Sequence, residues 1–224
     1  TFIDAYVRTI MKDAIACGLE KAIVSGNGLD CPVGLDRDIH NGVSFSTSTG
    51  YPQKAAIKVT DFSPKTYGDL ISKMAKTEEY TDSNSKKHGG RTRKFGSVLM
   101  IVNQVDYLTK IMPATTLLNT NGAYVKDVFP FPTEVVISNE VETGKAILCL
   151  PNEYFMAMGG AKEGVIEYSK DFQFLDDATT YKIKTYGNGK CTDNTCSLLL
   201  DISGLEEAVI YTKVKGTVAT KEQA

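Results

Sequence analysis

The sequence has no tryptophan, only two histidines and, in 224 residues, no apolar run approaching the length of a membrane span, so no membrane partner is expected. His40 and His88 both lie in polar irregular stretches, and there is no Gly-x-Ser-x-Gly elbow, so the chain offers no base-assisted nucleophile. Neither sign of charge dominates. Twenty-five Lys and Arg against 27 Asp and Glu give a formal net charge of −2, which argues against a dedicated nucleic-acid binder but leaves room for local basic patches. The five cysteines are odd in number and no Asn-x-Ser/Thr sequon accompanies them, so a reducing cytoplasm is the simpler setting. Cys191 and Cys196 could nominate half a metal site, but a structural zinc site needs four ligands and no second Cys/His pair of suitable spacing exists. Cross-strand neighbours are the plainer reading of that pair. The carboxylates of Asp176-Asp177 and Glu206-Glu207 are adjacent and point in different directions, which is not the geometry of an acid/base dyad. No catalytic residue, cofactor or metal is assigned, and no enzyme activity is expected.

What is present is ordinary for a globular chain. With 42% hydrophobic and 23% charged residues, the sequence can bury a sizeable core, as one large domain or two small ones. Its first stretch is the most regular. Ile3, Tyr6, Val7, Ile10, Ala14, Cys17 and Ala22 repeat at helical spacing, while Arg8, Lys12, Asp13, Glu20 and Lys21 take the other side. No proline interrupts Phe2–Ser25, which predicts a helix roughly 36 Å long at 1.5 Å per residue. Gly26, Asn27 and Gly28 close it, and Pro32 forbids its immediate resumption. The glycine-rich stretch Ser25–Leu35 invites comparison with a phosphate-cradling loop. Such a loop follows a strand and opens a helix, whereas this one ends a helix, and no Gly-Lys-Ser/Thr follows.

Further along, Asp36–Pro52 reads as irregular with one short strand at Val43–Phe45, and Ala56–Val59 as a second strand. Ser63-Pro64 opens a helix running to near Glu79. Thr81–Lys94 contains no apolar residue and carries Lys86, Lys87, Arg91, Arg93 and Lys94 around Gly89-Gly90. It is expected to be an exposed loop, with those five residues as candidates for interaction with an acidic neighbour or a phosphate backbone, although it lacks aromatics for base stacking. Ser97–Asn103 is a continuous apolar run, as in a strand buried on both faces at the centre of a sheet. Asp106–Met112 reads as a short helix stopped by Pro113. Glu134–Ser138, Lys145–Leu150, Tyr154–Met158 and Val165–Tyr168 read as short strands. Tyr181–Tyr186 and Ser197–Ile202 read as a pair around a GNGKCTDNTC turn, with a last strand through Val209 and Tyr211. The expected class is α+β, a mainly antiparallel sheet on which the opening helix lays its apolar side.

The order of these elements, with Gly18–Leu35, Val98–Pro113 and Phe131–Met156 as the closest stretches, resembles the tailed-bacteriophage major capsid proteins of the HK97-like family. The resemblance spans nearly the whole chain. It implies a spine helix at Phe2–Ser25 in a peripheral domain made of residues 1–60 and 161–224, and an α/β axial domain made of residues 61–160. It places Tyr181–Ile202 back beside the spine helix. The basic stretch then takes an inter-subunit role near the capsomer axis more readily than a DNA-binding one. Family members carry an N-terminal arm and an extended loop before the spine helix. Their absence here is read as a truncated core, from which no cross-linking residue can be assigned and which is not expected to close shells by itself. The function implied is that of a structural subunit of a phage-type icosahedral virion capsid, assembled in the bacterial host cytoplasm. Its partners would be copies of itself, as hexamers and pentamers in the complete shell and as a monomer or small oligomer for this chain, with DNA only as packaged content. An encapsulin-like nanocompartment shell is the alternative, and a nucleotide-binding α/β enzyme using the glycine-rich turn is a third reading.

Overall fold

A 24-residue helix, α1 (Phe2–Ser25), opens the computed structural model, which describes residues 2–119, 121–159, 165–176 and 178–208. Its last carbonyls would be left without intrahelical partners. The chain supplies them by turning back on itself: Gly34 N donates to Gly26 O (2.7 Å), Leu35 N to Ile23 O (2.9 Å) and Asp36 N to Val24 O (3.2 Å). The Arg37 guanidinium donates to Ser25 O at 2.9 Å. This return needs glycine at the crossing. A Cβ on Gly34 would lie 2.6 Å from the Gly26 nitrogen and 2.8 Å from the Ser25 backbone, neither of which can yield as a flexible side chain would. Gly34→Ala is therefore expected to cost about 2–3 kcal/mol in urea unfolding. Gly18→Ala, in the middle of α1 with nothing within 4 Å of its Cβ, should instead stabilise by about 0.5–1 kcal/mol.

After β1 (Ile57–Lys58), Ser63 accepts from Thr66 N to cap α2 (Pro64–Met74), which presents Tyr67, Leu70 and Met74 on one buried face. The helix ends at Met74, short of Glu79. Where a loop was expected, β2 (Tyr80–Thr81) and β3 (Lys87–His88) form a small hairpin. Strand β4 (Val98–Val102) leads through α3 (Gln104–Asp106) and a π turn (Tyr107–Ile111) into α4 (Met112–Thr115). Pro113 does not stop this segment. The wide turn before it already bonds Met112 N to Tyr107 O, so the ring falls in the first turn of α4, where its missing N–H is not needed. A hairpin of β5 (Leu117–Leu118) and β6 (Tyr124–Val125) follows, then β7 (Thr133–Ile137) and β8 (Lys145–Cys149). The expected strand at Val43–Phe45 does not form.

The remaining strands are β9 (Tyr154–Gly159), β10 (Val165–Gln173), β11 (Ala178–Lys184), β12 (Tyr186–Cys191) and β13 (Ser197–Asp201). The main sheet has five strands in the order β1-β13-β8-β4-β7. It is mixed, not mainly antiparallel, because β1 runs parallel to β13 and β4 parallel to β7. β8 holds the centre, and the apolar run of β4 sits one place nearer the edge. That run is still covered on both faces because its residues alternate. Val98, Met100 and Val102 face the α2 side, with Leu148 and Leu200, while Ile101 joins Ile147, Leu199, Leu35 and Val24 at the C-terminal end of α1.

The GNGKCTDNTC stretch is not a turn joining two paired strands. Gly187–Cys191 lies in β12, Asn194–Cys196 is a 3-10 turn, and β13 pairs with β8 and β1 while Tyr181 pairs with Tyr168. β9 pairs with β12 and β10 with β11 as two separate two-stranded sheets, with β11 running on through Thr185 into β12. The two pairs together are termed the ribbon, and the β10–β11 end, its tip, carries a 3-10 turn at Phe174–Asp176. α1 meets this ribbon at two levels. Tyr181 OH donates to Asp4 Oδ1 (3.0 Å) beside the first turn, and just past the last turn Val33 N donates to Gly189 O (2.7 Å). Only the end of α1 is buried, through Val24, and Phe2, Ile3, Tyr6 and Ile10 face outward instead of packing on a sheet as expected. The strand expected through Val209 and Tyr211 lies outside the described residues.

Candidate functional site

Several amides at the glycine-rich turn are committed to protein. Those of Val33, Gly34, Leu35 and Asp36 bond backbone carbonyls, and that of Leu29 bonds the Asn27 side chain at 3.0 Å. Its chemistry is that of a helix end. The two histidines each face an aspartate, His40 on Asp38 (2.8 Å) in an exposed loop and half-buried His88 on Asp82 (3.0 Å) in strand β3. Among the described residues no group of three or more His, Cys, Asp or Glu could hold a metal ion. No helix of the described residues is long and apolar enough to cross a membrane.

All five cysteines are free thiols. Cys149, Cys191 and Cys196 share one buried cluster on the α1 side of the sheet. Burial pushes the Cys149 thiol up to about 12 and the Cys196 thiol up to about 11, so neither supplies thiolate at neutral pH. A thiol-reactive dye at neutral pH is expected to label exposed Cys17 rapidly and half-buried Cys31 more slowly. The three buried thiols should react only on unfolding, and rapid native labelling of any of them would contradict this packing.

The five basic residues singled out in the sequence differ in burial. Lys87 lies in the β2–β3 hairpin with Glu79 at 3.4 Å, and Lys86 precedes it in a turn held by Asp82, which accepts from the Lys86 amide at 2.9 Å. Lys86, Lys87, Arg91 and Lys94 are exposed. Arg93 is not. It donates to Cys196 Sγ (2.8 Å), faces Asp193 Oδ1 at 3.2 Å and also bonds the Thr195 hydroxyl, and its side chain is only 10% exposed. Burial works to raise the Asp193 carboxyl. The amides of Thr195 and Glu78, the Thr195 hydroxyl and the Arg93 charge together hold it below its ordinary value.

The feature most in need of a partner is the outer surface of α1 and the ribbon. Phe2 is 85% exposed and stacks on Tyr6, while Ile3 and Ile10 extend the same side of the helix. On the ribbon, Phe155, Tyr168, Phe172, Leu175 and Tyr186 stand in the open. A two-stranded ribbon is marginal alone in water, and aromatic residues left uncovered on it mark a contact surface. The sequence signal was present but unused: Phe172 and Leu175 are apolar residues beside Asp171 and Asp176 at a turn.

No protein-family model matches this chain, and no curated protein matches its sequence. Solved structures do. The capsid of an empty GTA particle, computed with C5 symmetry, aligns with a TM-score of 0.56 at 12% identity, covering 92% of this chain and 67% of that one. The capsid of the native GTA particle, also computed with C5 symmetry, gives 0.52 at 12% identity, covering 92% and 66%. A virus-like particle from Pyrococcus furiosus gives 0.38 at 12% identity, covering 66% and 57%. The first two alignments establish a shared α+β capsid fold, and the chain spans about two thirds of the length of those two capsid chains.

Proposed function

We propose that this chain is a structural subunit of a phage-type icosahedral capsid, acting by self-assembly around packaged DNA and not by catalysis. The observation that carries the reading is the uncovered apolar side of α1 and the ribbon on a chain with a capsid fold. That surface costs free energy in an isolated monomer and is used in a shell, where every copy covers its neighbour. In this reading α1 is the spine helix. Residues 1–60 and 161–224 form the peripheral domain and 61–160 the axial domain, with β1 and β13 crossing the division to complete the five-stranded sheet. Lys86, Lys87, Arg91 and Lys94 contribute to contacts between subunits, while Arg93 holds its own chain together. Copies group as pentamers and hexamers in the complete shell, assembled in the bacterial host cytoplasm.

Electron microscopy of the concentrated chain tests this proposal. Small symmetric oligomers, five- or six-membered rings among them, are the expected result. Isolated monomers at every concentration would contradict it.

A further inference from the structure

At the base of the ribbon lies a groove of about 710 Å³, walled by Phe45, Tyr51 and Phe155, with Gly28 and Gly189 among its lining residues. The glycines keep it open. A Cβ on Gly28, whose φ is +81°, would come within 2.9 Å of the Tyr51 ring, and one on Gly189 within 3.0 Å of the Phe155 carbonyl. Phe45 and Tyr51 meet edge to face at 5.0 Å, and Phe155 is 65% exposed above them. Lys190 is the charged residue of the lining. The far end of the same ribbon is its complement. There Leu175 is 96% and Phe172 is 76% exposed, flanked by exposed Asp171 and Asp176.

We infer that the ribbon tip of one copy docks in the groove of a second copy, with Phe172 and Leu175 entering between the aromatic walls and the flanking aspartates facing Lys190. This rests on the shell reading above. The contact cannot be made within one chain, because α1 serves as a ruler alongside the ribbon. Asp4 in its first turn holds Tyr181, and Val33 just past its last turn holds Gly189 in the groove. From Asp4 to Ser25 a helix extends roughly 31 Å, and the tip lies beyond Tyr181. A tip and a groove at opposite ends of a stiff unit make a head-to-tail contact, which repeats from copy to copy and closes into rings where the rotation permits. An apolar anchor seated among aromatics and rimmed by opposite charge is also the usual anatomy of a specific interface.

The test uses two surface variants, Leu175→Asp at the tip and Phe155→Asp in the groove, at positions whose exposure leaves folding intact, as circular dichroism would verify. By sedimentation, each alone is expected to self-associate about tenfold or more weakly than the wild type. Mixed one to one, they should recover association as mixed complexes seen by native mass spectrometry, since each supplies the element the other lacks. If either variant associates as the wild type does, or if the mixture fails to pair, the tip-to-groove contact is overturned while the shell reading stands. A wild-type chain that does not associate at all would overturn the shell reading along with it.

Discussion

Tyr67→Ala is expected to lower the unfolding free energy by about 4 kcal/mol, measured by urea denaturation. Tyr67 lies in the first turn of α2 with no exposed surface, its ring against Phe62 (5.6 Å) and Phe129 (5.5 Å). Its hydroxyl bonds Thr133 Oγ1 at 2.6 Å, tying the helix to the edge strand β7. Truncation removes the ring and leaves a cavity among residues that other elements hold in place. Tyr67→Phe should cost only about 1 kcal/mol, since the Thr133 hydroxyl still bonds the Phe131 carbonyl at 2.9 Å. Burial pushes the Tyr67 phenol from 10.0 up to about 12. The folded state therefore holds this proton more tightly than the unfolded chain does. The resulting stabilisation is complete below pH 10 and is lost as pH rises toward about 12. The advantage of wild type over Tyr67→Phe should shrink across that interval, and a constant difference would show that the phenol is not buried as described.

Arg93→Ala is expected to cost about 3 kcal/mol, whereas alanine at Lys86, Arg91 or Lys94 should change stability by no more than about 0.5 kcal/mol. The contrast follows from position. Arg93 ties the segment entering the main sheet to Asp193 and Thr195 between β12 and β13, and its removal leaves a carboxylate with 15% side-chain exposure without its cation. Because the Asp193 carboxyl is held below 3.8, its contribution is present above that pH and is lost as pH falls through the lower folded value. Asp193→Asn should therefore be less acid-sensitive than the wild type below about pH 4. Equal losses at all four basic positions would mean that Arg93 is a surface residue like the others.

The sequence read well wherever a single period dominated. α1, the N-cap of α2 and the buried run of β4 are local patterns, and each was legible from residue spacing alone. Pairing was not. GNGKC looks like a turn because glycine and asparagine favour one, yet cross-strand partners from Tyr154 to Gly159 hold it as a strand. Pro113 looked like a stop because nothing in the sequence announces the π turn that accommodates it. Arg93 was grouped with its basic neighbours because the carboxylate that buries it is 100 positions away, a long-range fact that spacing does not carry. The apolar side of α1 was visible, but what lies against it was not. Among the described residues β10 and β11 pair only with each other, and Phe2, Ile3, Tyr6 and Ile10 stand open where a sheet was expected.

That open surface is what sedimentation of the chain as a function of concentration examines most directly. A shell subunit should associate reversibly as concentration rises from micromolar to near-millimolar, moving from monomer toward five- or six-membered species, with association weakened by charged substitutions on the ribbon. A single monomeric boundary at every concentration would contradict assembly as the function of this protein.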